Sequence, residues 1–165
     1  MAKIKGLFLD RDDTIIKNIP YMNKVEDIEY LPGALDCIKE IQDHDYRVFI
    51  VTNQSGLTRG LISYSELEAI HKKMTEDFLK QGIRPYKFYI SPYKHKHPRR
   101  KPGSELLFEA ERDFGVDLKE SLMIGDGKRD INAALGAGVT KVFQVLDINT
   151  FWLNRREDIL KSITE

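Results

Sequence analysis

An α/β fold with a mainly parallel sheet and no large cap domain is predicted by three features of this sequence. Five short apolar runs recur along the chain, stretches of helical periodicity alternate with them, and no intervening segment is long enough to build a second core. The chain of 165 residues, 41% of them hydrophobic, can bury one good core, so a single domain spanning 1–165 is expected.

The first run, Ile4 to Leu9, breaks off abruptly into Asp10-Arg11-Asp12-Asp13-Thr14, as a buried strand does when it delivers side chains to a rim. Residues two apart in an extended segment share a direction, so Asp10 and Asp12 are expected to face one site while Arg11 points elsewhere. Lys17 to Tyr30 has mixed charge and no period, and reads as an irregular flap too short for a cap. After Pro32-Gly33, Leu35, Ile38 and Ile41 recur at helical spacing. Arg47 to Thr52 is the second strand. Ser63 with Glu66 is a capping-box signature, and Leu67, Ile70, Met74 and Phe78 give the following helix one apolar face ending near Gly82. Lys87 to Ser91 is the third strand. Leu106, Leu107, Ala110 and Phe114 form the next helical stripe, stopped by Gly115. Ser121 to Gly125 is the fourth strand, and Ile131, Ala134 and Leu135 mark a short helix closed by Gly136 or Gly138. Lys141 to Val145 is the fifth strand. Thr150 to Ile163, with Phe151, Trp152, Ile159 and Leu160, reads as a weak terminal helix with no assigned chemistry.

Composition narrows the function. Lys plus Arg and Asp plus Glu both number 26, so no global field marks a nucleic-acid or membrane binder. The lone Cys37 excludes an intrachain disulfide framework, and no apolar run approaches the roughly 18 residues of a membrane span. The opening residues lack a secretory pattern, and a cytoplasmic location is expected. Nothing in the sequence sets an oligomeric state.

In parallel α/β sheets, chemistry gathers beyond the carboxyl ends of the strands. That rule collects Asp10, Asp12, Asp13, Asp126 and Asp130, the hydroxyls of Thr14, Thr52 and Ser55, and the cation Lys101 on one rim. Crowded carboxylates at the mouth of a buried strand are costly unless a cation or proton offsets them, and a hard oxygen-seeking ion such as Mg²⁺ is the natural partner. The mixture suits phosphoryl transfer, in which a carboxylate can be the nucleophile and a second one the proton donor. Lys as a point charge and Thr as a directional donor suit phosphate oxygens. The third strand leads into Tyr93 to Lys101, a concentrated basic segment that either binds substrate or is solvated.

These residues carry a resemblance. Asp10-Arg11-Asp12-Asp13-Thr14, Val51-Thr52-Asn53-Gln54-Ser55-Gly56, Arg100-Lys101-Pro102 and Ile124-Gly125-Asp126-Gly127-Lys128-Arg129-Asp130 resemble the four ordered motifs of the haloacid dehalogenase (HAD) superfamily. The match spans nearly the whole chain and is closer to the uncapped branch containing heptose bisphosphate and histidinol-phosphate phosphatases. The resemblance implies a Rossmann-like three-layer fold, with Asp10 as nucleophile and Mg²⁺ ligand. Asp12 would be general acid/base with its backbone carbonyl on the metal, and Asp126 a further ligand. Thr52 and Lys101 would bind the transferred phosphate, with Asn53 and Ser55 in the same motif. Asp130 would lie near the metal or support Lys101, and Arg59 and Arg100 would face the leaving group. The substrate implied is a small phosphorylated metabolite, foremost a sugar phosphate such as heptose 1,7-bisphosphate.

Two departures stand out. Many members of the branch bind zinc through cysteines and a histidine before the Arg-Lys-Pro motif. Here residues 91–100 hold no cysteine, and His95 with His97 cannot complete a four-ligand site, so no structural zinc is expected and the loop must be ordered otherwise or remain mobile. Asp13 stands where close relatives usually have glycine, and is read as a turn residue bonding local backbone. Competing functions are a histidinol-phosphate phosphatase, a nucleic-acid 3′-phosphatase, a phospho-receiver domain and an inactive phosphate-binding module. Balanced charge without an aromatic stacking series disfavours nucleic acid. A receiver would carry its aspartate on a later strand.

Overall fold

The computed structural model describes residues 3–165; Met1 and Ala2, which open the predicted domain, lie outside the described residues. Five strands form one all-parallel sheet: β1 Lys5–Leu9, β2 Tyr46–Asn53, β3 Pro85–Ser91, β4 Leu122–Gly125 and β5 Lys141–Gln144, in the order β3-β2-β1-β4-β5. All five predicted strands are present. Five helices alternate with them: α1 Ala34–Asp43, α2 Tyr64–Lys80, α3 Glu105–Phe114, α4 Lys128–Gly136 and α5 Phe151–Thr164. Among the described residues no large cap interrupts the alternation.

Alternation along the strands builds the three layers. Leu7 and Leu9 of β1 point to one face, where with Val48, Ile50, Leu122 and Ile124 they pack against α1, α2 and α5. Phe8 points to the other, with Phe49, Val51 and Met123, against α3 and α4. Both faces being covered explains why the strands read as near-continuous apolar runs. Buried β1 is the centre: Leu9 registers with Ile50 on one side and Ile124 on the other, which aligns the three strand ends that carry the polar residues.

Helix ends follow local chemistry. Ser63 Oγ accepts from Glu66 N at 3.1 Å while Glu66 accepts from Ser63 N at 2.9 Å, the predicted capping box of α2. Gly115 closes α3 at φ 70°. Of the two glycines offered as the stop of α4, Gly136 is still helical and Gly138, at φ 90°, makes the turn that follows. The flap between β1 and α1 is irregular apart from one 3₁₀ turn, Val25–Asp27, and is anchored by buried Met22. The terminal helix is stronger than its sequence pattern suggests: Trp152 and Ile159 are core residues, and Trp152 Nε1 donates to the Thr14 carbonyl at 2.7 Å.

Candidate active site

Parallel sheets open a crevice where adjacent connections run to opposite sides, and in this strand order that point lies between β1 and β4. Asp10 leaves the tip of β1 there, its N–H donating to Ile124 O at 3.1 Å. Asp126 follows β4 and Asp130 stands in the first turn of α4. Carboxylate oxygens of Asp10, Asp126 and Asp130 all lie within 4.8 Å of one another. Three acids this close are unstable without a counter-charge.

Part of that charge is Lys101, whose side chain is fully buried. Its Nζ lies 2.7 Å from Asp10 Oδ1, 2.6 Å from Asp130 Oδ1 and 2.7 Å from Val51 O, which engages all three of its protons. Burial alone would lower the ammonium's pKa, but the two carboxylates hold it above its usual value. Asp126 has no such partner. Its Oδ1 is buried without a hydrogen bond, and burial, then the hydrogen bond and charge of Asp10 and the charge of Asp130, push its pKa up to about 8 against a smaller opposing pull from Arg129. An orphaned carboxylate oxygen beside two more acids is a donor set that fits a hard divalent cation such as Mg²⁺. Asp10 and Asp126 would supply side-chain oxygens, with Asp130 behind them holding Lys101.

Asp12 stands apart from this cluster. Its carboxylate receives Arg11 Nε at 3.0 Å and Nη2 at 3.2 Å, and Gln54 Nε2 at 3.2 Å, while Asp12 still lines a pocket together with Asp126. Arg11 is 2% exposed and its Nη1 lies 3.1 Å from His71 Nε2. Burial, and then the Arg11 charge, lower the His71 pKa to about 3, so His71 is neutral and its Nε2 accepts. Arg11 was expected to point away from the site, and it does point beneath it, but from there it bonds to Asp12. Neither Arg11 nor His71 had a role on sequence grounds. His71 does fall on the apolar stripe of α2 beside Leu67 and Met74, the one visible signal.

The other predicted residues divide by placement. Thr52 is 1% exposed, and its Oγ1 accepts from Gln54 Nε2 at 2.8 Å, which leaves the hydroxyl proton free to donate. Asn53 binds the Lys101 backbone twice, Nδ2 to O at 3.2 Å and Oδ1 from N at 3.1 Å, fastening the lysine's loop to β2. Ser55 lines a pocket of about 280 Å³ together with Asp12, Asp126, Arg100 and Arg129. Arg59 sits at its rim, donating to Tyr21 Oη and lying 5.3 Å from that ring's centroid. Thr14, expected on the rim, is instead fully buried below it. Asp13 has φ 56° and its Oδ1 accepts from Asn18 N at 2.9 Å, the local backbone bond of a turn residue. Arg129 and Tyr21 are further lining residues that sequence reasoning passed over, although Arg129 lies inside a motif.

Comparison with known proteins identifies the family. Residues 8–144 match the family model described as haloacid dehalogenase-like hydrolase. A D-glycero-alpha-D-manno-heptose-1,7-bisphosphate 7-phosphatase of Campylobacter jejuni is 36% identical over 137 residues, covering 83% of this chain and 80% of the relative. A D-glycero-beta-D-manno-heptose-1,7-bisphosphate 7-phosphatase of Rhodopseudomonas palustris is 33% identical over 154 residues, covering 87% and 86%. Among solved structures, the D,D-heptose 1,7-bisphosphate phosphatase of B. bronchiseptica, complexed with magnesium and phosphate, superposes with a TM-score of 0.80 at 27% identity, covering 96% of this chain and 99% of that one. The chain belongs to the haloacid dehalogenase-like hydrolase family, among its phosphatases.

Proposed function

We propose that this protein is a Mg²⁺-dependent phosphomonoesterase that removes the 7-phosphate of a heptose 1,7-bisphosphate through an aspartyl-phosphate on Asp10. The observation that carries the reading is Asp10 itself, held at the tip of the central strand between Lys101 and two further carboxylates. Relatives named for this substrate support the choice, and they include both anomers.

Mg²⁺ bound at Asp10 and Asp126 would supply positive charge that offsets repulsion between an anionic nucleophile and an anionic phosphate. An Asp10 oxygen attacks phosphorus, the bond from phosphorus to the sugar oxygen breaks, and Asp12 gives that oxygen its proton. Asp12 then takes a proton from water, whose oxygen attacks phosphorus; the bond to Asp10 breaks and inorganic phosphate leaves. Thr52 donates its free hydroxyl proton to a phosphate oxygen. Lys101, with all three protons engaged, turns one from Asp10 to the phosphate as Asp10 becomes esterified. Ser55 and Arg100 line the pocket, and Arg59 packs on the ring of Tyr21, which also lines it, so these three would face the leaving group.

The test is Mg²⁺-dependent phosphate release from both anomers of heptose 1,7-bisphosphate, histidinol phosphate and a 3′-phosphorylated DNA end. The highest kcat/KM is expected on a heptose bisphosphate. Preference for histidinol phosphate or DNA would replace the substrate assignment. Asp10→Asn that kept full hydrolysis of p-nitrophenyl phosphate would remove the nucleophile assignment.

A further inference from the structure

The basic loop after β3 holds three consecutive exposed residues, Lys94, His95 and Lys96, in a chain whose charges balance as a whole. Like charges in a flexible segment repel and extend it. Here the loop turns back on itself. The Tyr93 and His97 rings stack with centroids 3.5 Å apart and planes 7° from parallel, joining its two ends across the exposed tip. His97 Nδ1 then accepts from Arg99 N at 3.0 Å, and His97 O accepts from Arg100 N at 2.9 Å. Arg99 is drawn outward onto Glu109 at 2.6 Å. Arg100 is directed the other way, and its Nη1 donates to the Tyr93 carbonyl at 2.8 Å.

That bond has a task. Arg100 lines the 280 Å³ site pocket, where Arg129 also lies, and it lines a groove of about 820 Å³ formed with Lys96, His97 and Pro98. The guanidinium therefore has open space on its far side, and repulsion from Arg129 favours its departure. No carboxylate is paired with it among the described residues. Among the described residues only the Tyr93 carbonyl accepts from its side chain, and that carbonyl belongs to a stacked residue.

We propose that Tyr93 and His97 are positioning residues for Arg100, a ring-on-ring clip that keeps its guanidinium in the wall of the site. The proposal rests on the reading of Arg100 as a cation facing the substrate's leaving group. An aromatic pair gives the clip rigidity with few rotatable bonds, and the loop's lack of cysteine leaves this closure to the rings.

Kinetics of single and double variants test it. Tyr93→Ala and His97→Ala should each raise KM for heptose 1,7-bisphosphate about tenfold with kcat within roughly twofold, because one charge-assisted hydrogen bond is lost from substrate binding. p-Nitrophenyl phosphate, whose leaving group carries no second phosphate, should be turned over normally. Tyr93→Phe should behave as wild type, since the ring remains and the accepting carbonyl is backbone. In an Arg100→Ala background, Tyr93→Ala should add less than about twofold. Unchanged KM in Tyr93→Ala, additive effects in the double variant, or an Arg100→Ala enzyme with normal KM would each overturn the proposal. Limited trypsin digestion reads the clip without any substrate: cleavage after Lys94, Lys96 or Arg99 should quicken at least roughly fivefold in Tyr93→Ala and stay slow in Tyr93→Phe. If the wild type hydrolysed no sugar phosphate, the proposed function would fall, and trypsin would judge the clip alone; equal cleavage of wild type and Tyr93→Ala would reject it.

Discussion

Gly125→Ala tests how closely the site is built into the sheet. A methyl group on Gly125 would lie 2.4 Å from Asp130 Cβ and 2.6 Å from its Cγ, where ordinary contact starts at 3.4 Å. Asp130 or the end of β4 must therefore retreat by about 1 Å, because interiors this dense offer no slack. Asp130 cannot yield freely: it is fully buried, its Oδ2 accepts from Gly127 N at 3.0 Å, and its Oδ1 lies 2.6 Å from Lys101 Nζ. Overpacking of this kind costs about 1–3 kcal/mol. Displacement of the carboxylate by about 1 Å also takes Lys101 out of hydrogen-bond range, and misplacement on that scale lowers turnover by about 10²-fold. Urea unfolding with linear extrapolation measures the first effect, and Mg²⁺-dependent hydrolysis of saturating p-nitrophenyl phosphate the second. Gly127→Ala is the control, since a methyl there meets nothing closer than 3.5 Å and should cost less than about 0.5 kcal/mol. A Gly125→Ala protein within about 0.5 kcal/mol and twofold of wild type would refute the idea that Asp130 is seated by contact with β4.

Two further outcomes follow from the charges. Lys101→Met leaves Asp10 and Asp130 buried without their cation, and should destabilise the metal-free protein by about 3–5 kcal/mol at pH 8, with a smaller loss at lower pH, where Asp130, whose pKa burial raises, takes up a proton; equal losses at high and low pH would count against it. Asp126, raised to about 8 from an ordinary value near 3.8, contributes stability that is full below about pH 4 and lost as pH rises through 8. Melting of the metal-free protein should record that loss, and Mg²⁺ affinity by calorimetry should improve by up to about tenfold per pH unit toward pH 8, then level off. An affinity flat from pH 6 to 8 would contradict a protonated Asp126.

What could be read from the sequence was whatever local pattern controls. The abrupt end of an apolar run announced Asp10, strand-end position gathered Thr52, Lys101 and Asp126, and Ser63 with Glu66 marked a helix start. Contacts between distant segments were beyond it. Nothing local says that Arg11 reaches His71 beneath Asp12, that Asn53 fastens the Lys101 backbone, or that Gly125 is small because Asp130 rests on it. Thr14 shows the same limit from the other side. Its place after three aspartates suggested the rim, yet packing put its side chain underground.

The hydrogen bond from Trp152 to the Thr14 carbonyl has a consequence for the order in which the protein is made. A chain emerging from the ribosome has presented every site carboxylate once residue 130 is out. The turn that follows Asp10 nevertheless still lacks its indole partner, and the face of the sheet shared by α1 and α2 lacks α5. Completion of the site thus waits on residues that take no part in its chemistry. A nascent protein in which α5 is still in the exit tunnel would be expected to hold its carboxylates in an open, unsealed arrangement, with competence arriving only as Trp152 docks.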